Sequence, residues 1–191
     1  PSDAFDYPLS DGSLTDTAHV RITVTQVNDP PVANNDSATV AEGGTVSVLD
    51  NAASSVLAND TDVDSPALTA TLLSGPANGI LTLNPNGTFS YSHDGSETTS
   101  DSFDYTLSDG FLTDTATVSI TVTQVNDPPV ANNDPATVAE GGTVSVLDNA
   151  ASSVLANDTD VDSPALTATL LSGPANRTLT LNPNGTYSHS H

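Results

Sequence analysis

The chain has no cysteine, methionine or tryptophan, and only Arg21 and Arg177 among its 191 residues carry a fixed positive charge. Without cysteine there is no disulfide framework and no thiolate site. Two isolated arginines exclude a nucleic-acid surface, which needs clustered Lys and Arg to displace counterions from phosphates. No apolar run reaches the length of a membrane span, so no membrane insertion is expected in this segment. No G-x-S-x-G turn or comparable nucleophile setting occurs. Two near-identical halves lacking any unique constellation also argue against an active site, so no catalytic residue is assigned and the chain is not expected to be an enzyme. Pro1 enters in mid-pattern, which places any export signal outside this segment.

What the chain has in excess is acid: 24 Asp and Glu give a formal net charge of −22. High charge with few aromatics suits a disordered chain, but the alternation of apolar and polar residues argues for strands. The aspartates cluster rather than scatter. Clustered carboxylates without cations repel, so a divalent cation is the expected counter-charge; the alternative is a solvated acidic surface.

An internal repeat organises the chain. The run Gln26-Val27-Asn28-Asp29-Pro30-Pro31-Val32-Ala33-Asn34-Asn35-Asp36 returns 98 positions later as Gln124 to Asp134. Residues 1–93 and 99–191 differ only at Pro1/Thr99, Ala4/Ser102, Pro8/Thr106, Ser13/Phe111, His19/Thr117, Arg21/Ser119, Ser37/Pro135, Gly79/Arg177, Ile80/Thr178, Phe89/Tyr187 and Tyr91/His189. A period of about 98 residues is the size of one β-sandwich domain. Pro30-Pro31 and Pro128-Pro129 mark the boundaries, because proline donates no ladder hydrogen bond and restricts the residue before it. The expected organisation is therefore the end of one domain over 1–29, a whole domain over 30–127, and the first two-thirds of another over 128–191. The two outer pieces are complementary. Either the segment is a window on a longer array, or chains complete one another head to tail, a contact that does not close and so propagates.

Seven strands are expected in the whole domain: 38–41, 45–49, 67–73, 80–83, 88–93, 102–107 and 112–125. Phe103, Tyr105 and Leu107 should face inward from the sixth, and Ala116, Val118, Ile120 and Val122 from the seventh. Asn86-Gly87 is a hairpin signal, because both residues tolerate positive φ. One short helical turn is expected within Asn51–Leu57. The spacing predicts an all-β, Greek-key, immunoglobulin-like β-sandwich in tandem repeats.

The motif with most chemistry is Asn59-Asp60-Thr61-Asp62-Val63-Asp64, repeated at Asn157–Asp162. Three carboxylates at alternate loop positions can converge on calcium, which takes about six to eight oxygen ligands. It is not an EF-hand: Ser65 stands at the sixth position and Thr71 at the twelfth. Tracing strands up and down places this loop beside the linker. Glu42, Asp94 and Glu97 fall at the opposite end. At the second junction these acids would face Asn126, Asp127, Asp158, Asp160 and Asp162, a set costly to assemble without a cation. At the first junction only Asn28, Asp29, Asp60, Asp62 and Asp64 are present, so weaker binding is expected there. His93 and His189 are expected to pack rather than to bind metal.

The segments TVTQVNDPPVANND, VLANDTDVDSPALT, GPANGILTLNPNGTFSY and DSFDYTLSDG resemble the cadherin-like and bacterial immunoglobulin-like repeats, related to VCBS repeats, of large RTX-type surface adhesins. The resemblance covers essentially the whole chain. It implies secretion to the cell surface, an extender or adhesive role, and calcium between domains held by a glutamate near the end of the first strand, a linker Asp/Asn cluster and a D-x-D loop. Glu42, Asn126-Asp127 and Asp158-Thr159-Asp160 sit in similar places. The linker departs from that pattern: N-D-P-P replaces a longer D-x-N-D-N, so two linker ligands are missing. The functional expectation is a calcium-stiffened structural stalk whose partners are its neighbouring repeats. The alternative is a binding module for a glycan or partner protein, with Phe111 as its exposed aromatic.

Overall fold

The computed structural model describes every residue except Pro1 and Asn176. It divides into two compact units, Pro1–Thr123 and Gln124–His191.

The first unit opens with an antiparallel hairpin, β1 (Ser2–Ser10) and β2 (Thr15–Thr23). A complete sandwich follows. One sheet holds β3 (Asp36–Ala41), β9 (Thr113–Thr123), β8 (Ser100–Ser108) and β5 (Thr69–Ser74), in that order. The other holds β4 (Thr45–Val46), β7 (Phe89–His93) and β6 (Gly79–Leu83). β3 runs parallel to β9, and the remaining pairs are antiparallel. Only β6–β7 and β8–β9 are hairpins; the other connections cross between sheets, as a Greek-key sandwich requires. Period-two alternation buries one face of each long strand. β3 buries Asp36, Ala38 and Val40, and β9 buries Ala116, Val118, Ile120 and Val122. Phe103, Tyr105 and Leu107 of β8 meet Phe89 and Tyr91 of β7 in the core. The Phe89 and Phe103 rings pack tilted, 6.1 Å between centroids.

All seven expected strands form, with two shifts. β4 ends at Val46 although alternation continues to Leu49. Leu49 is buried, but its N–H bonds Ala53 and the N–H of Asp50 bonds Ser37, so the backbone has left the sheet. The turn that carries it away holds Ala52 at φ +67°, a left-handed conformation unusual outside glycine. The helical turn forms at Val56–Asn59, later than expected, because Ser55 Oγ caps the Leu57 N–H.

The second unit contains a three-stranded sheet, β10 (Thr143–Val144), β12 (Tyr187–Ser190) and β11 (Thr178–Leu181). It matches β4–β7–β6 of the complete repeat. Residues 134–139 and 167–172, the counterparts of β3 and β5, form no strands.

Candidate functional site

One end of the complete repeat carries the aspartate-rich loop. Val32 and Thr61 form an isolated bridge, which ties the segment after the linker to that loop. The three loop carboxylates then separate. Asp60 accepts the Asn34 N–H (2.8 Å) and the Tyr105 hydroxyl (2.9 Å). Asp62 caps its own loop through the N–H groups of Asp64 and Ser65. Asp64 accepts the Asp29 N–H from the linker (2.8 Å). Asn28 donates to Asp109 (2.7 Å), whose carboxyl this contact and two backbone N–H groups hold below the usual range. In the second unit the arrangement returns: Asp158 accepts the Asn132 N–H, Asp160 those of Asp162 and Ser163, and Asp162 that of Asp127. Asn126 donates to the Asp127 carbonyl. Among the described residues, no three carboxylates of this loop come within 4.8 Å of one another. The loop aspartates mainly organise backbone.

A group absent from the expected set lies just beneath. Asp36 is only 8% exposed. Its Oδ1 accepts the Asn59 amide (3.1 Å), whereas its Oδ2 and the Asn59 Oδ1 are buried without a protein partner. Asp134 and Asn157 repeat both orphan acceptors. Burial first, and the Asp60 charge second, push the Asp36 carboxyl up to about 6. A proton on Oδ2 would turn that orphan acceptor into a donor. Burial likewise raises Asp60, against the hydrogen bonds from Asn34 and Tyr105. The signal in the sequence was an aspartate at an inward position of β3, two residues before Ala38.

The opposite end is built on His93, which is buried. Its Nδ1 accepts the N–H groups of Gly43 (3.2 Å) and Gly95 (3.3 Å), so the proton sits on Nε2, which donates to Thr98 (2.9 Å). One imidazole thus joins the β3–β4 turn to the β7–β8 loop. These two segments carry Glu42 and Glu97, which place carboxylate oxygens within 4.8 Å of each other. Asp94 is engaged locally: it accepts the Ser96 N–H (3.0 Å), and Ser96 holds its carboxyl below the usual range. The Glu42 N–H bonds the carbonyl of Thr123, the last residue of β9 (2.9 Å). The chain therefore leaves the repeat at the end that carries Glu42 and Glu97.

The Bacterial cadherin-like domain family matches residues 28–124, half of the chain. This chain belongs to the bacterial cadherin-like domain family. The Bacterial Ig domain family matches residues 126–190. Among curated proteins, the human "Extracellular matrix organizing protein FRAS1" is 34% identical over 127 residues, 57% of this chain and 3% of that protein. The cadherin-like chain thus spans a small fraction of that relative's length. Among solved structures, human protocadherin-24 EC1-2 superposes with a TM-score of 0.53 at 19% identity, covering 86% of this chain and 79% of that one. Mouse protocadherin-24 EC1-3 gives 0.51 at 16% identity, covering 100% and 66%. These likenesses agree with the sandwich fold. Within the cadherin-like repeat, the imidazole staple explains how a glutamate on a turn and another on a separate loop come together.

Proposed function

We propose that this chain is a segment of an extracellular, tandemly repeated stalk, in which calcium held at the exit end of a repeat stiffens the joint to the next. One observation carries the reading: two glutamates share the end of the sandwich from which β9 runs into the Asn126-Asp127 linker. Two carboxylates this close repel in the absence of a cation. Asn126, Asp127, Asp158 and Asp160 would supply the remaining oxygens. Extracellular placement draws support from the family and from a relative whose title names extracellular matrix organisation. The two family matches support a role as an adhesion-type module rather than as a catalyst. No described helix is long and apolar enough to cross a membrane.

Calcium titration by calorimetry should give a Kd on the order of 10⁻⁴–10⁻³ M, the range of extracellular modules. Small-angle scattering should show a larger maximum dimension with calcium than with chelator. Absence of binding heat together with an unmoved melting temperature overturns the metal site; binding at constant dimension overturns the stiffening alone. The alternative reading, recognition of a glycan or protein, has Phe111 in its favour: it is 86% exposed beside the β8–β9 turn. Specific retention on a glycan array, lost in Phe111→Ser, would favour it.

A further inference from the structure

A buried oxygen that has lost water and gained no donor is costly, and native interiors rarely keep one. The complete repeat keeps two, on side chains that already touch. Asp36 holds Oδ2 and Asn59 holds Oδ1 buried without a protein partner. Asp36 is more than nine-tenths buried. The Asn59 amide cannot relieve this by turning over. Its Nδ2 donates to Asp36 Oδ1 (3.1 Å) and to the Asn35 carbonyl (3.2 Å), two acceptors, so the oxygen is the end left unpaired. Asp134 and Asn157 carry the same two orphans in the second unit. A fault that returns 98 positions later belongs to the repeat, not to one accident of packing.

The surroundings are rich in oxygen and poor in protons. The Tyr105 hydroxyl has one proton for three acceptors: Asp60 Oδ2 (2.9 Å), the Val56 carbonyl (3.1 Å) and the Asn34 carbonyl (3.4 Å). Burial first, then Asp60, with Asp36 and Asp114 behind it, hold the Tyr105 phenol above its ordinary range. Three carboxylates therefore bear on one hydroxyl. The segments that meet here, 33–36 and 56–60 with Tyr105 and Asp114, contain no Lys, Arg or His. A water molecule would give protons to both orphans but leave the charges of Asp36 and Asp60 uncompensated. A proton would neutralise Asp36 alone. A hard cation satisfies lone pairs and charge together, and it accepts carboxylate, amide and backbone oxygens alike.

The geometry points to a calcium site inside the repeat itself, anchored on Asp36 Oδ2 and Asn59 Oδ1, with Asp60 as the second anionic side chain. Amide, backbone and water oxygens complete the shell, since calcium takes about six to eight. This ion is not the one at the joint. Asp36 begins β3 and Glu42 follows its last residue, so the two places lie roughly 20 Å apart at ~3.3 Å per strand residue. The internal ion ties the start of β3 to the Val56–Asn59 turn through the Asp36–Asn59 contact. A small sandwich without disulfides gains from such a tie, because a ligand bound only by the folded state stabilises it by mass action. The site stands whether or not the joint holds calcium.

The test compares the full chain with Asp36→Asn at pH 7, in calcium and in chelator. The substitution keeps the shape and removes the charge. A chelator melt at or above that of the parent shows that the variant is folded. Calcium should raise the melting of the complete repeat by at least about 3 °C less in Asp36→Asn than in the parent. Calorimetric titration of the variant should lose one calcium per chain, while the calcium-dependent extension in scattering persists. Terbium in place of calcium should give tyrosine-sensitised emission that Asp36→Asn and Tyr105→Phe both reduce. An equal calcium-induced rise in the two chains, or an unchanged stoichiometry, overturns the internal ion and leaves the two oxygens to water or a proton. An extension missing from both chains beside an Asp36-dependent rise sinks the stiffened joint and upholds this site.

Discussion

Asp36 sits in the core because its strand position points inward, and its chemistry follows from that placement. Its folded value of about 6 lies above the ordinary 3.8. The folded state therefore holds a proton that the unfolded chain has released, and stability from this group is complete below about pH 4 and lost as pH rises through about 6. In chelator at neutral pH, Asp36→Asn should raise stability by up to about 3 kcal/mol, since the rise from 3.8 to about 6 is about two units and each corresponds to about 1.4 kcal/mol. Near pH 4 the gain should vanish; denaturant melts at both pH values measure it. A second residue-scale effect links two of the eleven differences between the copies. A Cβ at Gly79 would lie 2.6 Å from the Tyr91 ring and 2.5 Å from the Ser92 carbonyl oxygen. The other copy has Arg177 at that position, with the smaller His189 in place of Tyr91, and β11 there begins one residue later. Gly79→Arg should cost about 3 kcal/mol alone. Combined with Tyr91→His it should show a coupling of about 1 kcal/mol or more in a double-mutant cycle.

At the scale of elements, the two copies show that a strand belongs to its pairing as much as to its residues. Asp36–Ala41 and Thr69–Ser74 are strands because β9 and β8 lie beside them. Nearly identical residues at 134–139 and 167–172 form no strand in the second unit. Amide exchange should therefore be slow over 36–41 and 69–74. It should be at least tenfold faster at the ladder amides of 134–139 and 167–172 in dilute solution, because unpaired segments open at little free-energy cost. Equal protection in dilute solution would contradict the structural difference between the units.

For the molecule as a whole, the deciding quantity is a net charge of −22 with two arginines to oppose it. Glu42→Gln with Glu97→Gln removes the carboxylate pair at the exit end. It should weaken calcium binding at least tenfold and abolish the calcium-dependent extension in scattering, while leaving the fold intact in far-UV dichroism. Unaltered affinity would place the ion elsewhere. The repeat length, the seven strands and the inward faces of β8 and β9 follow from the sequence alone, because period-two alternation, Pro-Pro boundaries and Asn-Gly turns are local signals. The family was also legible there, since its motifs are contiguous. Only the tertiary structure decided which acids work together. It dispersed Asp60, Asp62 and Asp64 into separate backbone contacts, buried Asp36, and used His93 to join Glu42 to Glu97 across two loops. Those outcomes depend on which chain segments pack side by side, and residues some 50 positions apart carry no mark of that proximity in their order.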